Sequence, residues 1–294
     1  MNLSNGDREH VPELAGNDLL LETLIELMKD DNPENRRNAA VALFNVACAD
    51  QNTVRLARYK DGVVLEALTQ IVSTYDANAG PNDEARTNAA ETLFNMSCSE
   101  VKETTDRMAD HCGLLEALAV TLRSPSADVD VKMYCAATLR RMAEITYATA
   151  PSQGALLSAL VRASAWTQTA CVAEAFRAQA EAKASRPIMA RHHGLLNALS
   201  RMALSVGGGE TERVRMAAVE ALEMMAREES TRTMLAHNEG VMMALTRASY
   251  GINPAGSISR TSHGGIGPAD DGSTDVDNQG HMVQMALKNL VASM

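Results

Sequence analysis

The sequence predicts an all-α protein, organised as a right-handed α-solenoid of about five to six stacked helical repeats. Three observations predict this fold. Hydrophobic residues make up 46% of the 294 residues and aromatic residues only 3%, and the helix-forming residues Ala, Leu and Met are abundant. The segment NAAVALFNVAC at 38–48 returns at 88–98 as NAAETLFNMSC. A glycine followed by an apolar helical pattern also recurs along the chain. Because a catalytic motif occurs once, such duplication indicates repeating structural units.

The duplicated segment predicts the third helix of each unit. Each copy centres on a large apolar residue, which we call the anchor. The six anchors are Leu43, Leu93, Leu139, Phe176, Leu222 and Leu287. Paired alanines precede the first two anchors by one turn, and such small side chains let neighbouring helices approach closely. We therefore expect the third helices of successive units to pack on one another.

The glycine motif predicts the second helix of each unit, and a short mixed helix precedes it. The five glycines are Gly62, Gly113, Gly154, Gly194 and Gly240. Each is expected in the sharp turn between the two helices, where a side chain would clash. In the third unit, TYATAPSQG leaves little room for the short helix. A unit thus has three helices and closes at roughly forty to fifty residues.

These patterns divide the chain into a tail at 1–16, the solenoid at 17–250, a loop at 251–277 and a last third-type helix at 278–294. The loop is rich in Gly, Ser and Asp and lacks an apolar period, which predicts a flexible segment. Its hydroxyl residues around Arg260 are candidate phosphorylation sites, namely Ser257, Ser259, Thr261 and Ser262. No polar capping repeat follows the last helix, so we expect partial exposure of Met285, Leu287, Leu290 and Met294.

Charge and composition exclude several classes of function. A formal net charge of -10 argues against non-specific nucleic-acid binding, and no apolar run approaches the roughly 20 residues of a membrane helix. The five cysteines are odd in number and form no C-x-x-C pair, which favours reduced thiols in the cytoplasm or nucleus. The repeated Cys48 and Cys98 are expected in the core. We expect no catalytic residue, cofactor or metal site.

With its AAxALxN-like third helices and glycine-led second helices, the array resembles the armadillo repeat family. That resemblance implies a concave groove lined by the third helices, in which the motif asparagines hold the backbone of an extended peptide. An amide suits this role because it offers both donors and an acceptor. Asn45, Asn95 and Asn289 match the motif position. The equivalent middle positions hold Arg141, Ala178 and Met224, which interrupt the row.

One turn earlier, the column that carries Trp in nuclear-import adaptors carries Glu91, Glu174 and Glu220 here. These acids would favour a partner segment with basic residues, or they are solvated charges on an exposed helix face. A second column, in the first turn of the third helices, holds Arg36, Arg86, Lys132 and Arg215 and predicts salt bridges or an acidic partner. The complete candidate groove comprises Asn38, Asn45, Asn88, Glu91, Asn95, Tyr134, Arg141, Glu174 and Glu220.

The leading hypothesis is a non-enzymatic scaffold that binds an extended or helical segment of another protein in this groove. The alternative is a structural subunit that joins a larger complex through the C-terminal helix and the loop, with the groove unused. An enzyme on a helical-repeat scaffold would need a basic face and an acid in an aromatic pocket. A chain with one Trp, three Phe and a charge of -10 supplies neither, and its oligomeric state is not indicated.

Overall fold

The computed structural model describes residues 14–74, 83–145, 150–165, 169–249 and 274–292. Every regular element in these ranges is a helix. The chain divides into two compact units, unit 1 at Met1–Thr167 and unit 2 at Gln168–Met294. The candidate phosphorylation residues lie outside the described ranges. The predicted loop lies outside them too, apart from its last residues, which belong to a helix that begins at Thr274.

Unit 1 contains nine described helices and one short 3-10 turn. The helices are α1 (Asp18–Met28), α2 (Pro33–Ala47), α3 (Asp50–Arg58), α4 (Val63–Ser73), α5 (Glu84–Ser97), α6 (Lys102–Asp110), α7 (Leu114–Arg123), α8 (Val129–Ile145) and α9 (Ala150–Ser164), and the turn is Tyr59–Asp61. Third-type helices pack as α2 on α5 on α8, and second-type helices as α1 on α4 on α7 on α9. The short helix α3 packs on α6. Because helices of the same type in successive repeats pack on one another, unit 1 is a stack of repeats.

Unit 2 contains seven described helices arranged by the same rule. They are α10 (Ala170–Glu181), α11 (Ser185–Arg191), α12 (Leu195–Ala203), α13 (Glu210–Ala226), α14 (Glu229–Ala236), α15 (Glu239–Ser249) and α16 (Thr274–Val291). The third-type helices pack as α10 on α13 on α16. The short helices α11 and α14 pack together, as do the second-type helices α12 and α15. Unit 2 is therefore a second stack of repeats.

The anchors form the layers between repeats. Leu43, Leu93, Leu139, Phe176 and Leu222 are each 0% exposed, as the pattern predicts. The paired alanines Ala39/Ala40 and Ala89/Ala90 are also buried, which brings α2 and α5 close together. Only Leu287 differs among the anchors, since it is half-buried in α16. Burial of a leucine side chain contributes about 1.5–3 kcal/mol, so these layers hold each stack together.

Three of the five predicted turn glycines occupy turns. Gly62, Gly113 and Gly194 have φ values of 98°, 88° and 78° and immediately precede α4, α7 and α12. The prediction is wrong for Gly154 and Gly240, which lie inside α9 and α15 without a left-handed backbone. In the third unit, α8 ends at Ile145 and α9 begins at Ala150, so the described residues contain no short helix between them.

Two members of the column of basic residues bind carbonyl groups at the ends of preceding helices. In the first turn of α2, Arg36 Nη1 donates hydrogen bonds to the carbonyls of Asp30 and Asp31, just beyond α1, at 2.6 and 2.9 Å. In α5, Arg86 Nε donates to the Val72 carbonyl in the last turn of α4 at 2.7 Å. The cations thus face the negative ends of preceding helices, which compensates for their position at the start of their own. Arg215 forms the expected salt bridge, since its Nε lies 2.9 Å from Glu212 Oε2.

No helix among the described residues is both long enough and apolar enough to cross a lipid bilayer. This finding agrees with the absence of long apolar runs in the sequence.

Candidate functional site

The candidate binding surface in unit 1 is the side of α2, α5 and α8 that carries the predicted groove residues. We call it the unit 1 face and define it by Asn38 and Asn45 of α2, Asn88, Glu91 and Asn95 of α5, and Tyr134 and Arg141 of α8. Within each helix these positions are separated by three, four or seven residues, so they lie on one side of it. The anchors and paired alanines on the other side are buried, which fixes the orientation of α2 and α5.

The four asparagines of this face are accessible in different degrees. Asn38 is exposed, whereas Asn45, Asn88 and Asn95 are half-buried. Asn88 Nδ2 donates to the carbonyl of Glu84 at 2.7 Å, and Asn95 Nδ2 lies 3.7 Å from Cys48 Sγ. In the described part of the chain, the amides of Asn38 and Asn45 have no hydrogen-bond partner. They retain both donors and the acceptor for another molecule.

An aromatic pair joins α5 to α8 beside Glu91. The ring centroids of Phe94 and Tyr134 are 5.9 Å apart and the rings are tilted by 42°, a geometry typical of favourable aromatic contacts. Burial raises the pKa of Tyr134, and a hydrogen bond to the Glu91 carboxylate raises it further. The sequence patterns did not predict a role for Phe94. Its place directly after the anchor Leu93 is the signal that could have identified it.

Arg141 forms an ion pair within its own helix, α8. Its Nη1 lies 2.6 Å from Glu144 Oε2, and Arg140 Nε lies 3.0 Å from Glu144 Oε1. The shared carboxylate holds both guanidinium groups against α8. Arg141 therefore does not offer an unpaired charge to the centre of the face.

Two of the open cavities at the ends of the unit 1 face include its asparagines in their linings. One of about 560 Å³ lies at the C-terminal ends of α2 and α5 and is lined by Ala47, Cys48, Asp50, Asn95, Cys98 and Glu100. The other, of about 400 Å³, lies at the N-terminal ends of α5 and α8 and is lined by Glu84, Thr87, Asn88, Asp128, Val129 and Asp130. Acidic residues line both cavities, whereas neither has a Lys or Arg in its lining.

The cysteines at the first cavity correct a prediction. Cys48 and Cys98 were expected in the core, yet Cys48 is exposed and Cys98 is half-buried. Each ends its helix as the C-cap residue, one turn after the asparagine of the motif. That spacing places them on the same side as Asn45 and Asn95. Repetition in the sequence therefore marked a surface position here.

In unit 2 the equivalent positions carry fewer polar groups, and its acids are paired. Glu174 Oε1 in α10 lies 2.8 Å from Arg213 Nη2 in α13. Glu220 Oε2 in α13 lies 3.6 Å from Arg177 Nη1 in α10. Both predicted groove acids of this unit thus bind arginines of the adjacent helix. Their charge is already compensated within unit 2.

The last helix, α16, exposes part of its apolar surface. Met285 is 54% exposed and Val291 is 61% exposed, whereas Leu290 is fully buried. The expected exposure is therefore correct for Met285 and wrong for Leu290, and Met294 lies outside the described residues. Val283 and Ala286 are also buried, so α16 contributes to the core of unit 2.

Potential metal and catalytic groups are sparse in the described ranges. They contain no group of three or more His, Cys, Asp or Glu side chains arranged to hold a metal ion. Glu223 of α13 is a buried acid, and burial raises its pKa to about 7. Neither of the two cavities described above includes it.

Comparison with known proteins identifies the fold. No family model matches the chain. No curated protein matches it either. One similar solved structure is the crystal structure of an engineered protein, with a TM-score of 0.56 and 19% identity over 94% of this chain and 97% of that chain.

A second similar chain comes from a study of a phosphorylation switch that controls the interaction between cadherin and beta-catenin. Its TM-score is 0.50 with 14% identity, and the match covers 97% of this chain and 57% of that chain. This protein thus spans little more than half of that chain's length. At such identities the likeness concerns the fold alone. Together with the stacking of like helices, it identifies this chain as a helical-repeat protein.

Proposed function

We propose that this chain is an armadillo-type solenoid of five to six repeats that binds an extended or helical segment of a partner protein. The binding surface is the face formed by its third-type helices, and the protein catalyses no reaction. It works in the cytoplasm or nucleus. The partner is a protein rather than a nucleic acid, because the chain is acidic.

One observation carries this proposal. The third-type helices α2 and α5 pack on each other, and of the asparagines they carry Asn38 is exposed while Asn45, Asn88 and Asn95 are half-buried. The amides of Asn38 and Asn45 are unpaired among the described residues, and a partner's backbone would satisfy them whatever its side chains are. The similar chain from the cadherin and beta-catenin study supports a role in protein binding.

The test is a quantitative pull-down from cell extract with the wild type and the triple variant Asn45→Ala/Glu91→Ala/Asn95→Ala. These side chains are half-buried and outside the core, so the variant should keep the helical circular dichroism of the wild type. We expect a defined set of proteins to be lost from the variant. Equal protein lists from two equally folded proteins would contradict the proposed groove.

A second candidate is supported by the exposed apolar surface of α16. In this alternative the chain joins a complex through Met285 and Val291, and the third-helix face of unit 1 is unused. Deleting α16 would expose the core of unit 2, so the same pull-down uses Met285→Glu/Val291→Glu instead. Loss of partners from this variant alone favours the second candidate, and loss from the triple variant alone favours the groove.

A further inference from the structure

The acidic column two residues before the anchors is neutralised in unit 2 and remains without a cation in unit 1. In unit 2, Glu174 pairs with Arg213 and Glu220 pairs with Arg177, at 2.8 and 3.6 Å. Glu91 holds the same position in α5, yet it forms no ion pair with any described residue. Its identified partner is the hydroxyl of Tyr134. Within the described residues, two acids of this column thus bind a guanidinium and the third does not.

Aligning the repeats on their anchors explains the difference. Arg213 lies nine residues before the anchor Leu222, and the residue nine before Leu139 is Asp130. Asp130 of α8 therefore occupies the position at which α13 carries Arg213, the arginine that binds Glu174.

The other source of a guanidinium is replaced as well. Arg177 directly follows the anchor Phe176, and the residue that follows Leu43 is Phe44. Phe44 of α2 therefore occupies the position at which α10 carries Arg177, the arginine that binds Glu220. At the two positions that supply the paired arginines in unit 2, the neighbours of α5 therefore carry no cation.

The surroundings of Glu91 suit a planar cation. The rings of Phe94 and Tyr134 lie next to each other at 5.9 Å between centroids. The 400 Å³ cavity at the N-terminal ends of α5 and α8 includes Glu84, Asp128 and Asp130 in its lining, and the Asp130 carboxylate interacts electrostatically with Tyr134. Glu84 is bound by Arg37 at 3.4 Å and Asp128 interacts with the buried Arg86, so Asp130 and Glu91 provide most of the uncompensated negative charge. A cation bound here would lie against aromatic surface within a negative field.

We propose that Glu91, Phe94 and Tyr134 form a binding site for an arginine side chain of the partner protein. Arginine fits better than lysine because its flat guanidinium stacks on aromatic rings while its N–H groups bind a carboxylate in a fork. Unit 2 supplies the internal precedent, since both of its paired acids bind arginine. This inference rests on the proposed function and specifies one residue of the bound segment.

The test selects random dodecapeptides displayed on phage against the intact protein. We expect the selected peptides to share one arginine at a fixed position. A synthetic copy of the best peptide is then compared with copies in which citrulline or lysine replaces that arginine. Citrulline keeps the shape without the charge, and we expect it to weaken binding by about tenfold. Lysine should give an intermediate affinity.

Variants of the protein locate the site. Glu91→Gln should weaken binding of the arginine peptide by about tenfold and leave binding of the citrulline peptide almost unchanged. Tyr134→Phe keeps the ring and should retain binding, whereas Tyr134→Leu should weaken it by about threefold. The matched control is Glu66→Gln, the same change at an exposed acid on the second-type helix α4, and it should have no effect.

The outcomes separate this inference from the function on which it rests. If the wild type selects no peptide, the proposed peptide-binding function fails and the arginine site fails with it. If peptides are selected without a common arginine, the arginine site alone is wrong. The proposed arginine site is also wrong if Glu91→Gln weakens binding of the arginine peptide and of the citrulline peptide to the same extent. A charge-dependent loss confined to Glu91→Gln supports it.

Discussion

Glu223 is the residue whose protonation should couple most strongly to folding. Its side chain in α13 is only 3% exposed, and burial raises its pKa from 4.5 to about 7, partly opposed by Arg227. Below about pH 4.5 the carboxyl is protonated in both folded and unfolded chains and has no effect on stability. As the pH rises to about 7, the unfolded chain loses this proton first. The free energy of unfolding therefore falls across this interval.

The variant Glu223→Gln should remove that loss, because glutamine has nearly the same shape and does not ionise. We expect equal stability near pH 4.5 and a gain over the wild type that grows to about 3 kcal/mol above about pH 7.5. Urea unfolding followed by circular dichroism over this pH range measures the difference. Glu229→Gln, at an exposed position of α14, is the control. A difference that does not change with pH would show that packing, not protonation, is responsible.

At the scale of elements, α4 ends against a buried cation. Arg86 is 2% exposed, and burial lowers the pKa of its guanidinium. The Val72 carbonyl that it binds also accepts a hydrogen bond from Thr121 Oγ1 at 3.0 Å. One carbonyl at the end of α4 therefore joins side chains from α5 and α7. This contact ties a third-type helix to two second-type helices.

Replacing Arg86 tests how much of this contact is electrostatic. Arg86→Ala removes the hydrogen bond and leaves a cavity, so we expect a loss of about 2–4 kcal/mol in the free energy of unfolding. Arg86→Met fills most of the space while Thr121 still satisfies the carbonyl, so its loss should be roughly half as large. Urea denaturation of both variants measures this. Equal losses would mean that the charge, rather than the volume, stabilises the junction.

The glycine-led helices show how far sequence patterns predict an element. Gly62, Gly113 and Gly194 adopt the left-handed conformation that the pattern required. Gly240 has the same sequence context but a different role, because a β-carbon there would lie 3.1 Å from the β-carbon of Ser200. The turn before α15 uses Asn238 instead, whose side chain accepts from the Val241 N–H at 3.0 Å. Local sequence cannot separate a glycine needed for its backbone from one needed for close packing.

At the scale of the whole chain, the order of the helices and the buried anchors were predictable because they follow from a period of small and large apolar residues. The candidate site was predictable only in part. The positions of Asn45, Asn95 and Glu91 follow from helical spacing. The pairing of Glu174 with Arg213 joins residues in two different repeats, so a single helix pattern does not reveal it. The exposure of Cys48 also depends on how the helix ends.

The net charge is distributed unevenly between the two units. Acidic residues clearly outnumber basic ones in residues 1–167, whereas the two nearly balance in residues 168–294. The unit 1 face follows this distribution, since Glu91 and both cavity linings are acidic. A partner with basic residues would therefore be attracted to unit 1 before specific contacts form, and its association rate should fall as salt is added.

The alkylation rate of the Cys48 thiol can report whether a partner is bound to the unit 1 face. This thiol is exposed beside Asn95, whereas Cys112, also exposed, lies in the connection between α6 and α7. A bound segment that covers Asn45 and Asn95 should slow alkylation of Cys48 by a maleimide and leave Cys112 at its original rate. Mass spectrometry of the two labelled peptides would therefore record the footprint of a partner without any engineered probe. Equal slowing at both thiols would instead indicate a partner that covers a different surface.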